Sequence, residues 1–230
     1  MMQDLTNIVA GNKVWNRYDF NALNINYPGK WLFVSDEYEL LEALERESHC
    51  YVFFLHWNWR VSAEIWSWFE CVCFHMTDVP YGRGVKHSRN LIIAGHERTM
   101  VSALRMLEEM DAGPVYAKLP MTLAGRVEEI YARAGTVCID IIGWFIDAEP
   151  LPEPQLSEPV LFKWRNPSQS ELPFSGKVRN IYNHIRMLDA PSYPVAFFDY
   201  GGFRLEFLNI QLSGYEVVTL VVIKLRQEKD

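Results

Sequence analysis

Four short apolar runs, LTNIVA at 5–10, WLFV at 31–34, YVFFL at 51–55 and CVCFH at 71–75, divide the first part of the chain at helix-length intervals. Each is rich in β-branched and aromatic side chains, so they read as parallel strands joined by helical crossovers. Between the second and third runs, SDEYELLEALERE predicts a helix. Ser35 serves as its N-cap, acidic residues fill its first turn, and Leu40, Leu41 and Leu44 form one apolar face. This alternation gives an α/β class: a Rossmann-like, doubly wound, mainly parallel sheet. Ligands of such sheets bind at the carboxyl ends of the strands, and His75 stands at one of those ends.

Further along, TMVSALRML (99–107) and PVYAK (114–118) read as strands, and 125–147, opened by Gly125, carries a long helical pattern. The segment EPLPEPQLSEP (149–159) has four prolines, which makes it stiff and poor in backbone donors. It divides the chain into a larger domain, 1–150, and a small C-terminal appendage, 151–230. The appendage has a helix at 177–188 (KVRNIYNHIRML), then a hairpin in which Gly201-Gly202 joins AFFDY to FRLEFLNIQL, and a last strand, YEVVTLVVIKL.

The start MMQDLTNIVAGNK has an aspartate and a glycine where a signal peptide needs a basic flank and an apolar centre, and no eighteen-residue apolar run exists. A cytoplasmic protein without membrane association is expected. Cys50, Cys71, Cys73 and Cys138 lack the spacing of a zinc site, so they read as buried free thiols and no metal is expected. The formal charge of -7 argues against a broad nucleic-acid footprint, which needs clustered Lys and Arg.

Three groups in the middle of the chain have the chemistry of proton transfer: His75, Asp78 and, in EEMDAGPVY, Asp111. Imidazole suits a general base near neutral pH when a carboxylate orients one ring nitrogen and stabilises its charged form, a role that His75 and Asp111 can share. The other reading is structural, with His75 as a satisfied core histidine and Asp111 as a turn former before Ala-Gly-Pro. Spacing leaves both open.

The stretches FHMTDVPYGRG and NLIIAGHERTMVSALRMLEEMDAGPVYAKL resemble the core of the formyltetrahydrofolate-dependent formyltransferases, with a histidine motif, a loop with Pro and Arg-Gly, and a later Asp-x-Gly. The likeness covers most of residues 5–145. Within that group the chain is most similar to a branch of bacterial sugar N-formyltransferases, through His56-Trp57-Asn58-Trp59, Ile185-Arg186-Met187-Leu188-Asp189 and Tyr193-Pro194-Val195-Ala196-Phe197.

The resemblance implies an enzyme that moves a formyl group from 10-formyltetrahydrofolate to the primary amine of a nucleotide-linked amino sugar for surface glycan synthesis. An amino-acid or aminoacyl amine, or a non-catalytic binding role, is the alternative. A tRNA-linked acceptor fits less well, because residues 160–230 are short for it and the chain is acidic. By the same resemblance His75 and Asp111 are the catalytic pair, and Trp59, Arg60 and Val61 face the folate together with Asp111. Core packing is the other reading of the tryptophans. Gly11-Asn12-Lys13 reads either as a plain turn or as a place where Asn12 and Lys13 hold the acceptor, and Tyr81 and Arg83 belong to the acceptor side, with Arg83 equally suited to stabilise its own loop.

Two departures from the family pattern stand out. Cys73 occupies the place of the usual oxyanion asparagine, and a thiol is a poor donor; Asn90 or a backbone N–H of the 76–84 loop is expected to replace it. The segment Val85, Lys86, His87, Ser88, Arg89 is bulkier and more basic than in that branch and is expected to border the active site. A homodimer built at least partly from residues 194–226 follows from the exposed strand edge of the appendage.

Overall fold

A computed structural model describes residues 5–47, 50–84, 87–162, 166–189 and 194–226. Val85, Lys86 and Tyr193, singled out above, lie outside the described residues, as does the side chain of His87. The chain forms two compact units: Met1–Gly84 with Met100–Met121 and Ala132–Leu161, and Val85–Thr99 with Thr122–Tyr131 and Phe162–Asp230.

The first unit is built on the expected alternation: β1 (Thr6–Gly11), α1 (Val14–Asn26), β2 (Lys30–Val34), α2 (Glu37–Arg46), β3 (Cys50–Leu55), α3 (Ala63–Trp68) and β4 (Glu70–His75). Next in the chain come a short strand β5 (Tyr81–Gly84), helix α4 (His87–Ile93), which belongs to the second unit, strands β6 (Arg98–Arg105) and β7 (Val115–Thr122), and the long helix α5 (Val127–Ala148). The central sheet has six strands in the order β2-β1-β3-β4-β6-β7. β1 pairs in parallel with both β2 and β3, β3 pairs in parallel with β4, and β6 is antiparallel to β4, with His75 opposite Ser102. The sheet is therefore mainly parallel, and its order reverses at β1. β1 is buried along its whole length, as a strand covered on both faces must be.

α2 differs from expectation in two details. Its N-cap is Asp36, whose Oδ1 accepts from the Glu39 backbone N–H at 2.9 Å. Ser35 instead gives its own N–H and hydroxyl to the Glu39 carboxylate at 2.7 and 2.9 Å. The buried face is Leu40, Ala43 and Leu44, with Leu41 exposed, because a residue one step along a helix is turned about 100° away while steps of three and four stay together.

A short strand β8 (Val160–Phe162) follows, and the second unit then holds α6 (Val178–Arg186) and an antiparallel sheet β11-β10-β9 made of β9 (Ala196–Tyr200), β10 (Phe203–Ser213) and β11 (Glu216–Leu225). Gly201-Gly202 makes the β9–β10 turn, and Tyr200 pairs with Phe203 across it. The IRMLD motif ends α6. Ile185, Met187 and Leu188 are buried, and so is the Arg186 guanidinium. Arg186 Nη1 donates to the carbonyls of Leu123 and Gly125 at 2.6 Å each, and Nε donates to Asn183 Oδ1 at 2.9 Å. Asp189 Oδ2 accepts from Asn209 N–H at 2.6 Å, beside the irregular register of β10. Among the described residues no helix is long and apolar enough to cross a membrane.

Candidate active site

β4 delivers His75 to the carboxyl edge of the sheet, where the imidazole is almost wholly buried. Alternation turns Cys71 and Cys73 to one side, and both pack against a cluster that includes Phe54, Trp57 and Val61. His75 Nε2 lies 3.1 Å from Asp111 Oδ2, and Nδ1 lies 2.7 Å from the Thr77 hydroxyl. The two contacts differ in kind: Nε2 and the Asp111 carboxylate stand at ion-pair distance, while Thr77 and Nδ1 share a hydrogen bond whose donor follows the imidazole tautomer. Thr77 is fixed in turn by Ser102, whose hydroxyl donates to its carbonyl at 2.7 Å. Of the pair, the imidazole is 2% exposed and the carboxylate 13%, so Asp111 is the outer member.

Asp111 stands in the β6–β7 connection with φ 58, a left-handed backbone that a non-glycine residue adopts at a cost. Its Oδ2 also accepts from the Gly84 N–H at 2.8 Å. Gly84 has φ 107 and so needs to be glycine, and Gly113 needs to be glycine for a steric reason: a Cβ there would fall 1.7 Å from the Arg105 carbonyl oxygen. These contacts explain the Arg-Gly and Asp-x-Gly spacings as one device, a loop glycine whose N–H holds the carboxylate and a turn glycine that lets two strands close beneath it.

Asp78 does not join this pair. Its carboxylate binds Lys118 at 2.6 Å, and Lys118 also donates to the Val79 carbonyl at 2.5 Å, which pins the loop after β4 to β7. Tyr81 lines an adjacent cleft of about 850 Å³ together with Pro80, Tyr116, Lys118 and Trp144. Arg83 is buried, and its guanidinium is bonded to Gln155 and paired with Glu109 at 3.6 Å. Gln155 and Glu109 are thus the partners that a loop-holding Arg83 requires.

At the ends of β1 and β3, where the strand order reverses, a second polar group forms that sequence spacing does not reveal. Buried Asn16 accepts from the Lys13 N–H at 3.1 Å, donates to Asp19 Oδ2 at 3.2 Å, and lies 3.2 Å from His56 Nδ1. Gly11 leaves room for it, since a Cβ would sit 2.7 Å from Asn16 Cβ. Burial, and then Lys13, push the His56 imidazole down to about 4, so it is neutral at neutral pH. Asn12 and Lys13 therefore border a structured turn held by Asn16. Beyond β3, Trp57 packs edge-on to Phe54 and Trp59, and Val61 joins the core cluster, leaving Trp59 and Arg60 exposed.

Asn90 falls on α4 in the second unit, half-buried, and so does not share a unit with His75 and Asp111. Of the replacement donors expected from the 76–84 loop, Gly84 N–H is directed at Asp111. In the segment expected to be a basic border, Ser88 and Arg89 are buried instead, and Ser88 shares a hydrogen bond with Tyr131 at 3.3 Å.

Burial first, and then the Asp111 carboxylate, push the Cys73 thiol up to about 12. It stays protonated near neutral pH and serves neither as a nucleophile nor as a strong donor. Cys73→Ala is therefore expected to leave turnover within about threefold of the parent, far from the roughly hundred-fold cost of losing an oxyanion donor. A loss of that larger size would mean that the thiol takes part. Among the described residues no group of three or more His, Cys, Asp or Glu could hold a metal ion.

Residues 167–224 match the family model described as "Methionyl-tRNA formyltransferase, C-terminal domain". The short C-terminal part therefore does not separate this chain from the tRNA-directed enzymes, contrary to the expectation from its length. A solved structure named methionyl-tRNA formyltransferase from Clostridium thermocellum is 33% identical, with a TM-score of 0.88, over 96% of this chain and 100% of that one. The curated methionyl-tRNA formyltransferase of Streptococcus pyogenes is 26% identical over 161 residues, 66% of this chain and 51% of the relative. The chain spans about half the length of the curated relatives it matches. A sugar 3N-formyl transferase, solved in the presence of dTDP and 5-N-formyl-THF, shares the fold at 14% identity and a TM-score of 0.64, over 97% of this chain and 100% of that one.

Proposed function

The chain belongs to the formyltransferase family, and on that premise we propose that it moves a formyl group from 10-formyltetrahydrofolate to the primary amine of an aminoacyl group carried on tRNA. The observation that carries the chemistry is the buried His75 imidazole set 3.1 Å behind the more exposed Asp111 carboxylate. The acceptor follows the family match at 167–224 and the 33% identical relative, both named for methionyl-tRNA. The acidity of the chain lies outside its C-terminal part: residues 162–230 hold nine Lys and Arg against seven Asp and Glu.

The amine must be neutral to attack the formyl carbon. Asp111 accepts a hydrogen bond from it and takes up the proton that the attacking nitrogen sheds, while the Gly84 N–H holds the carboxylate, the His75 imidazole backs it at 3.1 Å and Thr77 fixes the ring at Nδ1. The bond between the acceptor nitrogen and the formyl carbon forms as the bond from that carbon to N10 of the folate breaks, and the amine proton ends on N10. The folate supplies the activated formyl group. On its side stands the segment after β3, where Trp57 and Val61 are anchored in the core and Trp59 and Arg60 are left facing outward.

A nucleotide-linked amino sugar is the second reading. It is favoured by a fold shared along nearly the whole length with the sugar 3N-formyl transferase. Tetrahydrofolate release should be measured with 10-formyltetrahydrofolate and either charged initiator tRNA or a panel of nucleotide-linked 3-amino and 4-amino sugars. Turnover with the charged tRNA is the expected result. Turnover confined to a sugar would overturn the acceptor, and none with any amine would overturn the enzyme.

A homodimer is proposed through β11, which among the described residues has β10 as its only sheet neighbour and exposes Val218, Leu220, Ile223 and Leu225. If two copies pair antiparallel about Leu220, Glu216 of each meets Lys224 of the other, with apolar residues between. Light scattering should show a dimer, Glu216→Lys should shift it toward monomer, and adding Lys224→Glu should bring the dimer back. A parent protein that stays monomeric at high concentration would end the proposal.

A further inference from the structure

Gln155 sits in the proline-rich segment, two residues beyond Glu153, which exchanges both backbone hydrogen bonds with Val115 of β7 at 2.7 and 2.8 Å. That bridge sets the segment along the sheet edge and brings the Gln155 amide to the catalytic loop. All of its hydrogen-bonding capacity is used there. Oε1 accepts from Arg83 Nε at 3.0 Å and Nη2 at 2.8 Å, and Nε2 donates to the carbonyls of Asp111 at 2.9 Å and Gly113 at 2.7 Å. The partners fix the amide's orientation, because a guanidinium only donates and a carbonyl only accepts.

These bonds close a ring around Asp111. On one side Gln155 grips the Asp111 carbonyl and so supports its left-handed backbone. On the other it holds Arg83, whose neighbour Gly84 gives its N–H to the Asp111 carboxylate. We propose that Gln155 is a positioning residue for the Asp111 carboxylate, setting it against His75 from a segment that itself supplies no reacting group. The inference rests on formyl transfer as the reaction at this site, but part of its test does not depend on that reaction.

Two substitutions separate the outcomes. Gln155→Leu removes all four bonds; Gln155→Glu, nearly equal in volume, keeps the Arg83 contact but sets a carboxylate against the two carbonyls. In the full-length protein without substrates, the titration of the Asp111 carboxyl is followed by carbon NMR. It should move to higher pH by about half a unit or more in both variants, because Gly84 loses its alignment in the first and a like charge approaches in the second.

With folate donor and acceptor, kcat of Gln155→Leu, normalised to folded protein, should fall about tenfold or more while KM for either substrate stays within about threefold. The acid limb of the Gln155→Glu rate profile should move to higher pH. An Asp111 titration unchanged in both variants would overturn the positioning role, as would near-parental kcat in both. If Gln155→Leu fails to fold, the Gln155→Glu titration and rate profile decide by themselves. If the parent transfers no formyl group, the functional reading falls and the titration still judges the role of Gln155.

Discussion

Asp111→Asn and His75→Asn are each expected to lower turnover by about a hundred-fold or more, with the fold retained. In Asp111→Asn the neutral amide cannot hold the charge that the carboxylate presents to the Gly84 N–H and to the imidazole 3.1 Å away. The proton shed by the attacking amine then has no base. In His75→Asn the carboxylate loses the buried imidazole behind it, and Thr77 loses the ring that it orients. Asparagine matches aspartate in size but is smaller than the buried imidazole, so circular dichroism should change little in either variant, while the melting temperature should hold in Asp111→Asn and drop modestly in His75→Asn. Turnover near the parental value in either variant would remove the pair from the chemistry, whichever amine is the acceptor.

Arg186→Met should produce the larger loss of stability. The buried guanidinium is the donor to two carbonyls, those of Leu123 and Gly125, just ahead of α5, and methionine fills similar space without donating. Leaving one buried and one part-buried acceptor without this donor is expected to cost about 2–4 kcal/mol, or about 5–12 °C in melting temperature for a chain of this size. Burial lowers the guanidinium's affinity for its proton, yet arginine stays charged at any pH where the protein folds. Arg186→Lys should fall between the two, since lysine keeps a charged donor for the carbonyls that Nη1 serves but loses the Nε that bonds Asn183 Oδ1. A melting temperature within a degree of the parent in Arg186→Met would show that water replaces the donor.

The sheet was legible because its strands are short apolar runs at helix-length spacing, a pattern set by burial on both faces and by the crossover helices. The β9–β10 hairpin was legible because Gly-Gly between alternating runs has few other uses. His75 could be placed because a strand's period is two and its end is marked by the loop that follows. The rest depended on partners that no local period encodes. Gln155 meets Arg83, Asp111 and Gly113 at separations of 72, 44 and 42 residues, and His56 meets Asn16 at 40. The prolines of 149–159 do lack donors, but Glu153 and Gln155, placed among them, supply what the prolines cannot. Ser35 and Asp36 are both good N-caps by residue type, and only the reach to the third helical N–H chooses between them. Arg83 in a Gly-Arg-Gly loop reads equally as a ligand for an anion or a brace, until its guanidinium is seen to be buried.

The first unit is discontinuous in sequence, closing only with Ala132–Leu161. During synthesis at about 5–20 residues per second, His75 and Asp111 leave the ribosome seconds before Gln155 does. Chain that belongs to the second unit, Val85–Thr99 and Thr122–Tyr131, emerges in between. The nascent polypeptide must therefore hold unfinished segments of both units at once. No single proteolytic cut or truncation can release either unit whole, and a stop after Glu149 would keep His75 and Asp111 in the chain while the left-handed turn at Asp111 goes without the Gln155 amide that grips its carbonyl.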